Sequence, residues 1–322
     1  MSKRRLSQNQ QRRIAQQQSR NRQQNQAQDG IVISHYGKQL VVEDPHGHLH
    51  HCKLRQNLGA LVCGDRVRFQ PQDNRHHGVV VAVAHRRNLL QKTGFGGKAK
   101  PVAANIDQVL IVCAVQPPPN NYLIDRYIVA TENLPARAVL VLNKIDLADD
   151  HDTTLQALQK IYSDIGLDII ATSCKQNSGI DSLQHCLQHH TSIVVGLSGV
   201  GKSSLVKHIV PERDIKIGEV SAASQEGTHT TTVSTLYHLP SGGDLIDSPG
   251  VRDFSPIIEN RQQILNGFAE LRPYTRQCKF NDCTHTHEPG CAVRHAIENG
   301  EINPQRLQSY QHMLEEITTR YH

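Results

Sequence analysis

The clearest chemical signal in the sequence is a glycine-rich segment at residues 196–204, which reads GLSGVGKSS. It matches the spacing G-x-x-x-x-G-K-[ST] and follows an apolar stretch, as expected for a loop between a strand and a helix. Glycines in this motif let backbone N–H groups curve around phosphate oxygens. We expect Lys202 to reach the β- and γ-phosphates and Ser203 to coordinate Mg²⁺. The candidate phosphate-binding residues are Gly196, Leu197, Ser198, Gly199, Val200, Gly201, Lys202, Ser203 and Ser204.

A second motif indicates which base is bound. Residues 143–146 read NKID and directly follow an apolar run at 138–142. In a phosphate-loop protein, the carboxylate of Asp146 would accept hydrogen bonds from N1–H and the exocyclic amine of guanine, whereas adenine has no donor at N1. Sites that hydrogen-bond their ligand can reject a mismatch by on the order of 10⁴. We therefore expect Asn143, Lys144 and Asp146 to select guanine.

A short polar triplet follows the next predicted strand, residues 169–171. Ser173, Cys174 and Lys175 could supply a backbone amide and a lysine stem that pack against the base. The triplet carries little information alone, and its interpretation depends on its position after NKID.

Two further segments are typical of nucleotide switches. Residues 247–250 read DSPG and match D-x-x-G, in which Asp247 would hold Mg²⁺ through water and the Gly250 amide would contact the γ-phosphate. Residues 227–232 read GTHTTT, and one threonine there would bind Mg²⁺ and the γ-phosphate. The candidates, between which the sequence does not decide, are Thr230, Thr231 and Thr232.

The order of these motifs is unusual. Ordinary GTPases run from the phosphate loop through the switch threonine and D-x-x-G to N-K-x-D and S-x-K. Here N-K-x-D and the Ser-Cys-Lys triplet come first, and D-x-x-G comes last. This order predicts a circular permutation, which is mechanically reasonable because new termini are tolerated at exposed loops. As a consequence, the second switch leads directly into the C-terminal segment.

A metal-ligand pattern follows in the last third of the chain. Three cysteines and one histidine lie within fourteen residues: Cys278, Cys283, His285 and Cys291. A closed Cys₃His set fits one structural Zn²⁺ per chain and leaves no open coordination position for catalysis. His287 or His295 could replace His285, and reduced free thiols are the alternative to a metal site.

We expect structural rather than metal-binding roles for one histidine cluster and four further cysteines. Four histidines near residue 50 could suggest metal binding, but we expect a polar hairpin there; they are His46, His48, His50 and His51. Four cysteines are expected to be small buried apolar residues: Cys52, Cys63, Cys113 and Cys186.

These motifs require a layered framework to position them. Short apolar runs predict strands at 31–34, 39–42, 67–70 and 78–84. They favour a small all-β barrel such as an OB-fold, with an SH3-like barrel as the alternative, followed by a basic glycine-rich linker at 86–100. From about residue 101, strands alternate with helices, which predicts an α/β domain with a mostly parallel sheet. Residues 256–322 are expected to be mostly helical, with a last helix starting at Asn303-Pro304.

Charge and composition limit the function classes. The net charge is +5, but residues 1–29 alone contain seven Lys or Arg and one acidic residue. That Gln-rich segment predicts a disordered tail, either solubilising or binding RNA phosphates. No apolar run is long enough to span a bilayer, and we expect neither a secretory signal nor membrane association. Eight cysteines in 322 residues do not indicate a disulfide scaffold, so we expect a cytoplasmic protein.

Together, the permuted motif order, the β module and the Cys₃His segment resemble the circularly permuted, ribosome-associated GTPases of the RsgA family, also called YjeQ or YloQ. The resemblance covers roughly residues 30–320. It implies an N-terminal OB-fold barrel at 30–95, a permuted α/β G domain at 96–255 and a zinc-binding helical domain at 256–322. The tail at 1–29 precedes them and is the part that we least expect the family to share. It also implies GTP hydrolysis to GDP, stimulated by the 30S ribosomal subunit late in its maturation, with 16S rRNA as a partner. We expect the protein to be monomeric.

One departure from ordinary GTPases affects catalysis. Val251 follows D-x-x-G at the position where Ras-like enzymes place a glutamine that orients the attacking water. Valine has no hydrogen-bonding group, so intrinsic hydrolysis should be slow and another group must position the water. His229 is our candidate catalytic residue; the alternative is that it orders the switch segment or contacts RNA.

Two other functions remain possible from the sequence alone. The first is a nucleotide-dependent rRNA-binding scaffold without significant turnover, which predicts no increase in phosphate release when 30S subunits are added. The second is an ATP-using phosphate-loop enzyme such as a kinase, which competition of ATP against labelled GTP would reveal.

Overall fold

The computed structural model describes residues 27–36, 39–56, 58–72, 77–94, 98–210, 234–248 and 256–320. The strands within these residues are β1 (Gln28–Tyr36), β2 (Gln39–Glu43), β3 (Leu49–Leu54), β4 (Arg66–Pro71), β5 (His77–Val83), β6 (Leu89–Thr93), β7 (Ala99–Ala104), β8 (Gln108–Ala114), β9 (Arg137–Asn143), β10 (Asp168–Ala171), β11 (Thr191–Val195), β12 (Ser234–His238) and β13 (Asp244–Asp247). The helices there are α1 (Asn121–Glu132), α2 (Thr154–Tyr162), α3 (Ile180–Leu187), α4 (Lys202–Ile209), α5 (Arg261–Asn266), α6 (Arg272–Thr275), α7 (Ala292–Glu298) and α8 (Pro304–Arg320).

The first five strands form a closed barrel. Strand β1 pairs antiparallel with both β2 and β4, and the remaining pairs are β2–β3, β3–β5 and β4–β5. Its interior is filled by apolar side chains, listed as Val32, Leu40, Val42, Cys52, Leu61, Val67, Phe69 and Val80. The closed five-stranded barrel of OB type confirms the prediction for this segment. Strand β3 was not predicted from the sequence, because its two histidines, His50 and His51, interrupt the apolar alternation.

The histidine-rich stretch forms the β2–β3 hairpin and is organised by a carboxylate. Asp44 accepts the backbone N–H groups of His46 and His48, both at 2.9 Å, and its second oxygen lies 3.2 Å from Nε2 of the buried His50. These hydrogen bonds to the charged form hold the pKa of Asp44 well below its usual range, although burial opposes the shift. The expected polar hairpin is therefore present.

The segment expected to be a linker is a hairpin instead. Strands β6 and β7 pair antiparallel from Leu89↔Ala104 to Thr93↔Ala99. The basic, glycine-rich composition suggested an open connection, but the apolar residues Leu90, Val102 and Ala103 are buried in the core below the central sheet. Burial of these residues supplies the driving force that composition alone did not reveal.

The central sheet has the strand order β10-β9-β8-β11-β13-β12. The first five strands are parallel, and β12 is antiparallel to β13. All seven residues of β8 are buried, as expected of a strand covered on both faces. Helices α1 and α2 pack against one face, and α3 and α4 against the other. This doubly wound arrangement confirms the predicted α/β domain.

The barrel and the central sheet are joined along one strand. Strand β1 also pairs with β12, with Ser34 opposite Thr235 and His35 opposite Ser234. A register shift between Val32 and Ser34 lets β1 leave the barrel and extend the sheet.

Helices α5–α8 form a third core that rests on α1. The core includes Phe268, Leu271, Val293 and Tyr310 together with Val129 from α1. No helix in the part of the chain that the structure describes combines the length and apolarity needed to cross a bilayer.

Candidate functional site

The phosphate loop connects β11 to α4, and its shape depends on glycines. Gly196 and Gly201 have φ values of 136° and 92°, in the region that disfavours other residues. A Cβ on Gly196 would lie 2.1 Å from the Val112 carbonyl oxygen, and one on Gly201 would lie 2.3 Å from the side-chain nitrogen of Asn143. The backbone can therefore curve as tightly as a phosphate requires only with glycine at these two positions.

Lys202 begins α4 and folds back over the loop. Its side chain is buried, and Nζ donates to the Gly196 carbonyl oxygen at 2.7 Å and also to the Leu197 carbonyl oxygen. Ser203 and Ser204 are exposed in the same first helical turn. A buried cation and a helix N-terminus thus face the same concave loop, and both attract phosphate.

The guanine motif is hydrogen-bonded directly to the phosphate loop. Nδ2 of the buried Asn143 donates to the Val200 carbonyl oxygen at 3.0 Å. Nζ of Lys144 donates to the Gly199 carbonyl oxygen at 2.6 Å and to the Gln116 carbonyl oxygen at 2.9 Å. Two motifs more than fifty residues apart in the sequence therefore form one continuous surface.

The Ser-Cys-Lys triplet lies beside the base-reading carboxylate. Ser173 Oγ donates to Oδ1 of Asp146 at 2.6 Å and accepts the Gln176 backbone N–H at 3.1 Å. These contacts orient the carboxylate. Cys174 is half-buried and Lys175 exposed directly after Ser173. Burial, followed by the nearby charge of Asp146, raises the pKa of the Cys174 thiol, so Cys174 contributes a neutral surface here.

The candidate magnesium-binding residues lie at one sheet edge. Strand β13 ends at Asp247 and pairs in parallel with β11, which leads into the phosphate loop. The carboxyl ends of parallel strands meet at the same edge, so Asp247 lies beside the loop that precedes Ser203. A carboxylate and a hydroxyl are oxygen donors of the kind Mg²⁺ prefers.

Several candidate residues of the switches lie outside the described residues. They are Gly250, Val251, His229, Thr230, Thr231 and Thr232.

The Cys₃His residues come together in the C-terminal segment. The four ligand atoms all lie within 4.8 Å of one another. His285 Nδ1 lies 3.6 Å from Cys278 Sγ and 3.4 Å from Cys291 Sγ, and the two sulfurs are 4.0 Å apart. Zn–S and Zn–N bonds at tetrahedral angles place ligand atoms about 3.6–3.8 Å apart, so the cluster fits Zn²⁺.

The surroundings of the cluster select one histidine among the candidates. Burial lowers the pKa of His285, which keeps its imidazole neutral and able to offer a lone pair. His287 and His295 point to other partners: Nδ1 of the first lies 2.9 Å from Thr286 Oγ1, and Nδ1 of the second accepts from Asn299 Nδ2 at 3.1 Å.

Comparison with known proteins agrees with this geometry. The RsgA GTPase family model matches residues 83–256. A protein of Chromohalobacter salexigens named small ribosomal subunit biogenesis GTPase RsgA is 48% identical over 90% of this chain and 86% of its own length. A protein of the same name from Hahella chejuensis is 44% identical over 90% of this chain and 84% of its own length.

The chain belongs to the RsgA GTPase family.

Solved structures of RsgA-type proteins extend this similarity to three dimensions. The crystal structure of YjeQ from Thermotoga maritima is 36% identical, with a TM-score of 0.71, and the match covers 91% of this chain and 99% of that one. The structure of YloQ, described as a circularly permuted GTPase, is 28% identical, with a TM-score of 0.68 over 91% of this chain and 96% of that one. As a member of the RsgA family, this chain is a GTP-hydrolysing enzyme that uses guanine nucleotide and Mg²⁺, and its G domain is permuted.

Two residues that contact the guanine motif were not predicted from the sequence. Thr172 donates its hydroxyl to Oδ1 of Asn143 at 3.1 Å, which fixes the side-chain amide that holds the phosphate loop. The Gln116 carbonyl oxygen accepts from Lys144. The available signal was position: Thr172 directly follows β10 and Gln116 lies two residues after β8, but neither belongs to a motif.

Proposed function

We propose that this chain hydrolyses GTP as a late assembly factor of the 30S ribosomal subunit and that the 30S particle stimulates the reaction. The relatives named above carry small-subunit biogenesis in their names. The observation that supports guanine-nucleotide binding most directly is the pair of hydrogen bonds from Asn143 and Lys144 to the carbonyl oxygens of Val200 and Gly199. They hold the base site and the phosphate loop as two ends of one binding surface.

Different groups of residues bind the phosphates and the guanine base. The nine loop residues from Gly196 to Ser204 cradle the phosphates, with Lys202 neutralising their charge. Asn143, Lys144 and Asp146 select guanine, and Ser173, Cys174 and Lys175 cover its edge.

The catalytic assignments concern the switches. Ser203 and Asp247 hold Mg²⁺, which neutralises charge on the phosphates when bound. Gly250 and one of Thr230, Thr231 and Thr232 contact the γ-phosphate. His229 positions the attacking water in place of the glutamine that Val251 replaces. The expected result of His229→Ala is loss of 30S-stimulated turnover with nearly unchanged GTP affinity. Stimulated turnover that survives would remove His229 from this role.

The flanking segments provide the contacts with the particle. The boundaries we propose are a basic tail at 1–29, an RNA-binding barrel at 30–95, the G domain at 96–255 and a zinc-binding domain at 256–322. One Zn²⁺ held by Cys278, Cys283, His285 and Cys291 stabilises the last domain. The partner RNA is 16S rRNA, and the protein acts as a cytoplasmic monomer.

The test is phosphate release from GTP and from ATP, with and without purified 30S and 50S subunits. We expect hydrolysis of GTP only and acceleration by 30S only. No acceleration would favour the alternative, an rRNA-binding scaffold without significant turnover.

The variant Asp146→Asn should lose GTP affinity and gain xanthosine nucleotide affinity, because an amide can no longer accept both guanine donors. Unchanged base preference would contradict the assignment of Asp146.

A further inference from the structure

Two serines connect the strands that lead to the switch segments. Ser234 is the first residue of β12, and Ser248 directly follows Asp247 at the end of β13. Their hydroxyl oxygens are 2.6 Å apart, and Ser248 is buried. This hydrogen bond closes the end of the β12–β13 pair at which Thr235 lies opposite Asp247.

The backbone of Ser234 is held from the other side by the barrel. His35 of β1 lies opposite Ser234 in the sheet. The Ser234 carbonyl oxygen accepts from Cys63 Sγ at 3.2 Å, and the same sulfur lies 3.3 Å from the Ile33 carbonyl oxygen. Burial raises the pKa of the Cys63 thiol to about 12, so the sulfur keeps its proton and remains a donor.

The loop that carries Cys63 is itself rigid. The carboxylate of the fully buried Asp65 accepts the Val62 backbone N–H at 2.8 Å. Arg86 donates to both oxygens of the same carboxylate, from Nε at 2.7 Å and from NH2 at 2.8 Å. A bidentate pair of this kind fixes direction as well as distance. A displacement of the barrel is therefore transmitted to Ser234 rather than absorbed by the loop.

We propose that Ser234 and Ser248 are positioning residues that couple the placement of the barrel to the Mg²⁺ site at Asp247. The proposal rests on the proposed role of Asp247. The chain of contacts runs from Cys63 through the Ser234 carbonyl group and hydroxyl to the Ser248 hydroxyl, one residue from Asp247. A partner that binds the barrel thereby acts on the magnesium-binding carboxylate without contacting the nucleotide.

The experiment measures the Mg²⁺ concentration that half-maximally slows release of a fluorescent GDP analogue from the full chain. The variants are Ser234→Ala, Ser248→Ala, the double variant and Ser234→Thr. Each alanine variant should raise the half-saturating concentration by about three- to tenfold, the range that one net hydrogen bond represents. The double variant should show no more than the larger single effect, and Ser234→Thr, which keeps the hydroxyl, should restore the wild-type value.

Matched controls separate the coupling from general destabilisation. Ser241→Ala changes a serine in the turn that joins β12 to β13, and it should leave the Mg²⁺ dependence unchanged. Affinity for GDP without Mg²⁺ should be the same in all variants, which also shows that each has folded. Cys63→Ala should shift the Mg²⁺ dependence in the same direction as the serine variants, whereas Cys52→Ala, in the barrel core, should not.

The outcomes distinguish the proposed magnesium role of Asp247 from the proposed coupling through the two serines. If Asp247→Asn leaves the Mg²⁺ dependence unchanged, the proposed magnesium role of Asp247 is wrong. If Asp247→Asn weakens Mg²⁺ binding but the serine variants match the wild type, or if their effects multiply in the double variant, the coupling is wrong. A wild-type result for Cys63→Ala alongside shifted serine variants would exclude the barrel from the coupling.

Discussion

Replacing Arg306 should weaken the packing of the C-terminal helices against the G domain. Arg306 lies in the first turn of α8 and is fully buried. NH1 donates to Oδ1 of Asp125 on α1 at 2.6 Å, Nε donates to Glu270 at 2.7 Å, and NH2 donates to the Gly267 carbonyl oxygen at 2.7 Å. The guanidinium also lies 4.2 Å from the ring centroid of Phe268. The change to test is Arg306→Met, which keeps much of the apolar stem and removes every hydrogen bond of the guanidinium.

The expected loss of stability follows from the buried carboxylate that the substitution leaves without a partner. Removing one partner of a buried ion pair costs about 3–5 kcal/mol, because the remaining charge is buried without compensation. Asp125 is as deeply buried as Arg306, so we expect a loss of about 4 kcal/mol in the free energy of unfolding near pH 8. Burial already raises the pKa of Asp125 above its ordinary 3.8, although Arg306 opposes that shift. Without the cation the folded-state pKa rises further.

The pH dependence of the variant provides a second check. Between pH 3.8 and the raised pKa, the folded variant binds a proton at Asp125 that the unfolded chain does not bind. Stability of Arg306→Met therefore falls as the pH rises through this window, and the deficit relative to wild type should be smaller at low pH. Adding Asp125→Asn to the variant should recover part of the loss, since a neutral amide is cheaper to bury than a carboxylate.

The assay is urea unfolding followed by circular dichroism, because the chain contains no tryptophan for fluorescence. Arg87→Met is the matched control: Arg87 forms a 2.7 Å ion pair with Asp107, but its side chain is 56% exposed, so about 1 kcal/mol or less should be lost. If Arg306→Met costs no more than this control, or if Asp125→Asn adds to its cost, the buried cluster does not hold the two segments together.

Three further changes test other parts of the structure. Gly201→Ala should abolish nucleotide binding while the protein stays folded, because the new Cβ would lie 2.3 Å from the Asn143 amide nitrogen at a φ of 92°; equilibrium dialysis with labelled GDP that shows wild-type affinity would contradict this. Cys278→Ser should release the zinc that elemental analysis finds in the wild type and lower the melting temperature of the C-terminal helices; a zinc-free wild type would exclude the site. Hydrogen bonds to Asp244 and Glu43 raise the pKa of His238 from 6.5 to about 10. The stability that this contact contributes is therefore full below about pH 6.5 and disappears as the pH rises through about 10. The variant His238→Gln should flatten that part of the profile of stability against pH.

The sequence predicted the central sheet well because its strands are uniformly apolar and are bounded by recognisable motifs. Residues 109–115 and 138–142 correspond closely to β8 and β9, which are covered on both faces. Strand β3 was not predicted because the burial of its polar residue His50 depends on a contact with Asp44, which periodicity does not show. The β6–β7 hairpin was not predicted because only four of its residues are apolar and buried, namely Leu90, Val102, Ala103 and Ala104, and they pack against residues from distant strands.

The sequence motifs predict that the guanine motif and the phosphate loop bind the two ends of one nucleotide, but not the direct contacts between the two segments. The spacing of each motif identifies the ligand atoms, since that chemistry is local. The contact between Lys144 and Gly199 joins segments whose separation in the sequence is set by the permutation, so only the fold could reveal it.

The attachment of the C-terminal helices changes what the permutation implies. The sequence alone suggests that the second switch acts on this segment along the chain, since residue 256 follows the switch closely. The structure adds a second connection through α1. Lys144 contacts the Gln116 carbonyl oxygen at the start of the segment that leads into α1, and Asp125 on the same helix binds Arg306. The C-terminal helices are therefore attached both to the switch and to the element next to the guanine site. Because these contacts hold the C-terminal helices against α1, we expect α1 to restrain any movement of the helices that a change in the switch produces.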